Sequence, residues 1–282
     1  MPKLLTIRKA AWVNARKPDI IRGTPLKPSG AVAGRYNFEL SELIQEMTEE
    51  TYFAVRELFA EEHMQQYFAQ DATTSSQARI LTNWLLRKFN SRFAKKALPI
   101  AQRFADQSNK HSSAAVHTSI QKLSGGLSLP TASITPDMRE ILKATITENV
   151  SLITGISQKY LAGVQQAVMR SITTGNGMQD LVPYLQKKKE YTLRQAQLVS
   201  MDQTRKAFQN LGKARMENLG ILSYEWLHSG GSDEPRELHK RMSGNIYKLS
   251  APPIIDEKTG ERGIPGQAIN CRCFMVPVIS FD

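Results

Sequence analysis

Apolar residues recur at helical spacing through most of the chain between Tyr36 and Gly220, and this repeat limits the fold more than any other feature. A period of 3.6 residues places such positions along one face of an α-helix, which must then pack against another element. In segment 137–153 the spacing is four, four and three residues, at Leu142, Ile146, Val150 and Ile153. The pattern predicts a mainly α protein with an elongated helical body.

Glycines and prolines, taken with the apolar spacing, predict where the helices begin and end. We expect helices over 36–59, 75–112, 137–153, 158–175, 178–188 and 192–220. Gly155 is expected to end the third helix, and Pro99 is a candidate kink in the second. Segment 123–136 carries two glycines and two prolines, and we interpret it as a linker.

The sequence divides into three predicted parts. Residues 1–33 form a basic, irregular N-terminal arm, because four prolines and two glycines interrupt any helix. Residues 34–220 form the helical body. Residues 221–282 form a small α+β C-terminal module, in which the apolar spacing shifts to the strand period of two. That shift is seen at Leu222, Tyr224, Trp226 and His228.

The chain has a formal net charge of +11 and a pI of about 9.6, and the arm is especially basic. Such charge favours contact with polyanions, namely nucleic acid, an acidic protein surface or anionic lipid. Two interpretations of the arm remain open: a solvated segment, or one that binds DNA or an acidic partner. In the second interpretation the contacts are made by Arg8, Lys9, Arg16, Lys17, Arg22, Lys27 and Arg35.

Several classes of protein are not indicated by the sequence. No run of eighteen apolar residues is present, and the N-terminus lacks the continuous apolar region of a signal peptide. Two cysteines are too few for the disulfide framework of a secreted domain. We therefore expect the protein to occupy a reducing compartment, the cytoplasm. The motifs of P-loop ATPases, dinucleotide-binding folds, α/β-hydrolases and HExxH metalloproteases are missing.

Both cysteines, Cys271 and Cys273, lie in the sequence PGQAINCRCF near the C-terminus. On an extended segment they share one face, which suits a metal ion, and His228 and His239 are the further candidate ligands, with Asp233 a weaker one. Three interpretations are open: a zinc site, two small thiols packed in a strand, and a strained local disulfide. Thiol packing fits the spacing best, because zinc motifs commonly place two to four residues between cysteines.

The sequence DEPRELH places Arg236 and His239 three residues apart, on one face of a short helix, with Asp233 close by in sequence. Such a set is compatible with a catalytic site or with a buried polar network. We favour the polar network, because no nucleophile or phosphate-binding loop is found nearby.

The order of residues from 202 to 273 resembles the phage Mu F-like minor head proteins of the phage head morphogenesis family. The resemblance is strong over 138–279, weaker over 35–125 and absent from the arm, and the glycines of SGGSDEPR depart from it. It implies no catalytic role for any residue. The matching positions are Asp202, Gln203, Arg215, Trp226, Asp233, Arg236, His239, Gly244, Pro265, Gly266, Asn270, Cys271, Arg272 and Cys273.

The resemblance implies a structural virion component of a tailed bacteriophage rather than an enzyme. Such a protein associates with the portal in head morphogenesis and in DNA packaging or ejection. Its implied partners are the portal protein, capsid or scaffold proteins and packaged double-stranded DNA, with no membrane during assembly. Its implied location is the head interior or portal vertex, and the host cytoplasm during assembly. Zinc is the candidate cofactor, and the alternative function is a zinc-dependent hydrolase that uses the C-terminal His/Cys module.

Overall fold

A computed structural model describes residues 20–60, 73–126, 129–231 and 235–280, and within these ranges the chain forms five helices and four strands. The architecture is mainly α with a small α+β module, as the sequence predicts. The helices are α1 (Gly30–Leu58), α2 (Thr74–Ser124), α3 (Pro136–Thr174), α4 (Met178–Asn218) and α5 (Glu237–Met242). The strands are β1 (Ile20–Arg22), β2 (Ser223–Leu227), β3 (Ile246–Lys248) and β4 (Phe274–Ser280).

The described residues form two compact units. Unit 1 holds the described residues of 1–33, 104–145 and 201–282. Unit 2 holds the described residues of 34–103 and 146–200. The units group residues differently from the predicted arm, body and module, because each of the four long helices α1 to α4 contributes residues to both units.

The long helices continue across several positions where the sequence predicts a break. α3 runs without interruption through Gly155, and α4 joins the two helices expected at 178–188 and 192–220. α2 runs through Pro99, the candidate kink, and ends at Ser124, beyond its predicted end at residue 112. Glycine ends a helix when its backbone turns to the left-handed region, as at Gly175 with a φ of +75° after α3. Gly155 has a helical backbone instead, so its lack of a side chain does not terminate the helix.

Unit 2 is held by buried polar contacts between its helices as well as by apolar packing. The Tyr36 hydroxyl on α1 donates a hydrogen bond of 2.8 Å to Oδ1 of Asn149 on α3. Burial of this phenol raises its pKa above the usual value. The Ser157 hydroxyl donates to Oδ1 of Asn90 at 2.8 Å and connects α3 to α2. These bonds satisfy polar groups that would otherwise be costly to bury.

Unit 1 contains a four-stranded antiparallel sheet in the order β1-β4-β2-β3. β1 lies within the segment that the sequence predicts to be irregular, and it pairs Ile20 with Ser280 and Arg22 with Val278. Leu26 also contacts β4, because its N–H donates a hydrogen bond to the Met275 carbonyl. Its side chain is fully buried. The prediction of an irregular segment is therefore wrong for residues 20–22, which form a strand, and for 30–33, which begin α1, while residues 23–25 have no regular structure.

The core of unit 1 forms where β2 and β4 pack against the C-terminal parts of α2 and α4. Tyr224 and Trp226 alternate inward on β2 and are fully buried, which confirms the predicted strand face at these two positions. Leu222 precedes the strand and is 61% exposed, so it does not share that face. Cys271 and Cys273 belong to the same apolar cluster.

Candidate functional site

His239, Cys271 and Cys273 converge in the core of unit 1. α5 supplies the histidine, and the segment immediately before β4 supplies the cysteines. Their side chains are 2%, 3% and 4% exposed, and the ligand atoms all lie within 4.8 Å of one another. Nδ1 of His239 lies 3.5 Å from Sγ of Cys271 and 3.9 Å from Sγ of Cys273. Two thiols and an imidazole nitrogen therefore face a common point.

The orientation of the His239 ring is set by its second nitrogen. Nε2 lies 3.0 Å from the carbonyl oxygen of Ile255, which can accept but not donate. Nε2 therefore carries the proton in the neutral ring, and the lone pair of Nδ1 points at the two sulfurs. The Trp226 ring packs against the imidazole with an edge-to-face geometry at 5.1 Å between centroids. The tautomer and the tilt of the ring are both defined by these neighbours.

The two thiols differ in acidity because the hydrogen bond between them shifts their pKa values in opposite directions. A hydrogen bond from Cys273 lowers the pKa of Cys271, and the Gly266 N–H, which lies 3.4 Å from its sulfur, acts in the same direction. The same bond to Cys271, together with burial, raises the pKa of Cys273. Burial is the largest single influence on the pKa of His239 and lowers it, but the hydrogen bond with Cys271, the charge of Cys271 and the hydrogen bond with the Ile255 carbonyl together raise it. The cluster therefore favours one thiolate, located on Cys271.

The loop 263–273 approaches α4 closely at Gly266. This glycine has a φ of +86°, and an added Cβ would lie 3.0 Å from Cγ of Gln209 and 3.6 Å from Cβ of Arg205. A residue with a side chain would meet both the left-handed backbone and the helix surface. The Pro265–Gly266 pair, which the sequence marked as part of the motif, therefore lets the loop lie against α4 and present its N–H to Cys271.

Asp202 and Gln203, the Asp-Gln pair of the motif, lie on the same part of α4. Oδ1 of Asp202 accepts the backbone N–H of Asn270 at 3.1 Å, and its other oxygen pairs with Lys206 at 3.0 Å. Asn270 has a φ of +58°, a conformation that asparagine tolerates better than most residues. Gln203 is buried next to Asp202 on the helix. This part of the motif holds the residue that immediately precedes Cys271.

Arg215 on α4 is almost fully buried, and it forms a hydrogen bond to the segment between α2 and α3. Its guanidinium donates to the Thr131 carbonyl at 3.1 Å, to the Ser112 hydroxyl at 3.2 Å and to Oδ1 of Asn109. Burial lowers the pKa of Arg215 to about 10. The predicted linker 123–136 is thus tied to the core by a buried cation at Thr131, which is itself buried.

The remaining motif residues stabilise turns around the cluster. Nη2 of Arg236 donates to the Ile269 carbonyl at 3.0 Å, and Arg272 donates to the Gly231 carbonyl. Gly244 has a φ of +86° and donates its N–H to the Trp226 carbonyl at 2.8 Å. Asp233 lies outside the described residues. Arg236 and His239 bind different carbonyls, so the described contacts do not join them in one hydrogen-bonded network.

Other candidate residues lie away from the cluster. Nδ1 of His228 accepts the Gly230 N–H at 3.1 Å, and His228 does not belong to the group of three donors. Among the candidate polyanion contacts, Arg22 forms an ion pair with Glu225, Lys27 lies 5.9 Å from the Phe274 ring centroid, and Arg35 is exposed. Arg8, Lys9, Arg16 and Lys17 lie outside the described residues.

Two residues that support the site are not indicated by the sequence motifs. The Ile255 carbonyl orients His239, and no side-chain pattern indicates a backbone contact of this kind. Gln267 uses Oε1 to accept the Ile264 N–H at 2.8 Å and Nε2 to donate to Oδ1 of Asn210 at 2.7 Å. The position of Gln267 between the Pro-Gly and Asn-Cys pairs is the one signal in the sequence that could have indicated a role.

The burial of the cluster does not support the zinc-dependent hydrolase. A catalytic zinc site keeps one coordination position open to water and substrate. The three donors here are at most 4% exposed and are surrounded by the apolar core of unit 1. Such an arrangement suits a structural role, in which a closed site connects elements of the fold.

The fold and the cluster define a helical protein whose small sheet module is organised around a buried Cys/His group. Residues 162–276 match the family model described as Phage Mu protein F like protein, which confirms the resemblance to that family over this segment. All fourteen motif residues named above lie within the matched segment.

A relative from Haemophilus influenzae, described as an uncharacterized protein, is 28% identical over 282 residues. The alignment covers 99% of this chain and 58% of the relative, so the chain spans a little more than half of that relative's length. The comparison with solved structures gave no significant match. In the described part of the chain, every helix falls short of the apolar length needed to cross a bilayer.

Proposed function

We propose that this chain is a structural minor head protein of a tailed bacteriophage, which associates with the portal and serves head morphogenesis and DNA packaging or ejection. The match of residues 162–276 to the Phage Mu protein F like model carries the proposal. The contacts of the motif support a structural role, because Asp202, Arg215 and His239 bind backbone groups of unit 1. These contacts hold unit 1 together.

The charge of the chain supports a location close to packaged DNA. A net charge of +11 allows phosphate neutralisation and release of counterions from the duplex. The same charge suits acidic surfaces of portal, capsid or scaffold proteins. We propose that the protein assembles in the host cytoplasm and remains at the portal vertex or in the head interior.

The experiment that tests the proposal removes the protein from the phage or prophage that encodes it. A stop codon early in the gene, complemented from a plasmid by the wild-type chain, gives the matched pair of lysates. We expect the protein in gradient-purified particles by mass spectrometry. Without it, the titre and the fraction of DNA-filled heads should fall. A protein that is absent from wild-type particles, with an unchanged titre in the mutant, would contradict the proposal.

Portal association is tested separately with purified components. The full chain and the portal protein are mixed and separated by size-exclusion chromatography, with the major capsid protein as the comparison partner. Co-elution with the portal is expected. If the chain is present in particles but co-elutes only with the capsid protein, the proposed role as a head protein stands and the proposed portal association is wrong.

A further inference from the structure

The His239, Cys271 and Cys273 cluster carries an inference that does not rest on the proposed function. We propose that it binds one Zn²⁺ ion through Nδ1 of His239 and Sγ of both cysteines, and that this ion connects α5 to the segment before β4. The site is structural, because its donors lie in the core of unit 1.

The spacing of the donor atoms fits a zinc coordination shell. With Zn–S bonds of about 2.3 Å and Zn–N bonds of about 2.0–2.1 Å, tetrahedral geometry places a sulfur and a nitrogen ligand about 3.6 Å apart. The two distances from Nδ1 of His239 are 3.5 Å to Cys271 and 3.9 Å to Cys273. Both nitrogen–sulfur distances therefore lie within a few tenths of an ångström of the value in a zinc site, and the two sulfurs lie within 4.8 Å of each other.

The neighbours of the donors are those that a zinc site needs. A metal-binding histidine usually donates its other N–H to a carbonyl or carboxylate, which orients the ring. His239 does so at Ile255, leaving the lone pair of Nδ1 directed at the sulfurs. The Gly266 N–H lies 3.4 Å from Sγ of Cys271 and is placed to stabilise a metal-bound thiolate.

The chemistry of the donors selects the metal. Two thiolates and an imidazole are soft and borderline ligands, which favour Zn²⁺ over the oxygen-seeking Mg²⁺ and Ca²⁺. A structural zinc ion has four ligands, so one donor is still to be added. The segment after β2 passes beside the cluster, because Cys273 accepts a backbone hydrogen bond from Ser229. We propose that residues 228–231 of this segment supply the fourth ligand.

Packed thiols without a metal are the competing explanation. In that case the three side chains are joined only by hydrogen bonds, and the distances of 3.5 and 3.9 Å from Nδ1 of His239 are those of weak hydrogen bonds to sulfur. The two explanations differ in metal content, in the response of stability to zinc, and in the absorption spectrum with cobalt.

The first test measures metal in the full wild-type chain, purified under reducing conditions without a metal-affinity step. Elemental analysis should give close to one zinc per chain. After removal of zinc by a chelator, Zn²⁺ at 100 times its Kd should raise the Tm by about 5–10 °C, while Mg²⁺ should not. A folded chain that carries no zinc, and whose Tm does not respond to Zn²⁺, would overturn the proposal.

Substitutions test whether the bound zinc is held by these three donors. The Cys271→Ser, Cys273→Ser double variant should lose the bound zinc and the response of the Tm. The control is Arg236→Ala, which removes the hydrogen bond to the Ile269 carbonyl in the same module but leaves all three donors. It should retain both properties. Zinc that stays bound in the double variant would overturn the assignment.

A spectroscopic test uses the wild-type chain alone, in case the double variant does not fold. Co²⁺ added to the chelator-treated protein should produce thiolate-to-metal charge-transfer absorption in the near ultraviolet and strong visible bands of tetrahedral cobalt. Zn²⁺ should then displace both signals. A spectrum of weakly absorbing octahedral cobalt, without the charge-transfer band, would show that the thiols do not bind metal and would overturn the proposal.

Discussion

The loop before β4 depends on single residues that tolerate unusual backbone conformations. Gly266 and Asn270 have φ values of +86° and +58°, and they lie on either side of the segment that leads to Cys271. Each is held by α4, through the close approach at Gln209 and through the hydrogen bond to Asp202. The position of Cys271 therefore depends on a helix that is far away in sequence.

The contribution of the Asp202 carboxylate to the loop can be measured with two substitutions. Asp202→Ala removes the acceptor of the Asn270 N–H, and we expect a loss of about 1–2 kcal/mol in the free energy of unfolding. Asp202→Asn keeps an oxygen acceptor and loses the ion pair with Lys206, which is worth about 0.3–0.5 kcal/mol. Urea denaturation of both variants gives the comparison. Equal losses would show that the hydrogen bond to the loop contributes nothing.

Residue types predict part of the site, and the rest depends on contacts between distant residues. Cys271, Cys273 and His239 could be identified because few other residue types bind soft metals. His228 was an equally good candidate by type, but its ring bonds to the Gly230 N–H. The contact of Asp202 with Asn270 spans 68 residues and leaves no periodic signal in the sequence.

The apolar repeat predicts well which segments are helical and approximately where each helix lies. Glycine is an unreliable indicator of where a helix ends. Gly155 and Gly175 look alike in the sequence, since each follows a helical repeat. In the structure Gly155 lies inside α3, and Gly175 follows the helix with a φ of +75°. The difference arises from the backbone conformation, because apolar positions on both sides of Gly155 gain from one continuous helix.

Replacing each of these glycines with alanine distinguishes the two positions. An added Cβ meets nothing within 4 Å at either site, so packing does not obscure the result. Gly155→Ala should raise the free energy of unfolding by about 0.5–1 kcal/mol, because alanine favours a helix interior. Gly175→Ala should lower it by about 1 kcal/mol, because alanine is strained at positive φ. Thermal or urea denaturation checks both, and a destabilising Gly155→Ala would mean that α3 is broken there.

For the molecule as a whole, the sheet joins segments from opposite ends of the described chain. β1 and Leu26 come from a region that composition marks as irregular, yet they pack on β4. Composition misleads here because prolines and glycines disfavour helices without preventing a short docked strand. Three apolar residues in an otherwise basic segment were too few to indicate a strand by periodicity.

The docking of residues 20–26 is tested at Leu26, which is fully buried. Leu26→Ala should lower the free energy of unfolding by about 2–5 kcal/mol, because it leaves a cavity in the core of unit 1. Leu222→Ala removes the same atoms at a site that is 61% exposed and should change it by less than about 0.5 kcal/mol. Urea denaturation measures both. Similar small effects would show that the N-terminal segment is not part of the folded core.

The net charge predicts salt-dependent binding to duplex DNA. Changing Arg8, Lys9, Arg16 and Lys17 to alanine should make the log–log salt slope of binding shallower by up to about 3–4, if each residue contacts one phosphate. The control removes the same charge at four exposed helical positions, Arg56, Lys95, Lys96 and Lys187. Fluorescence anisotropy from 50 to 200 mM salt provides the slopes. Equal changes in both variants would exclude the N-terminal arm as the main DNA contact.

The pairing of β1 with β4 has a consequence for synthesis of the protein. The two strands are separated in the chain by about 250 residues, which take roughly 10–50 s to translate at 5–20 residues per second. During that interval Ile21 and Leu26 have been made, but the strand that covers them has not. Unit 1 can therefore close only after β4 has left the ribosome. Until then the nascent chain presents an unpaired strand and apolar side chains, for which chaperones and neighbouring nascent chains compete.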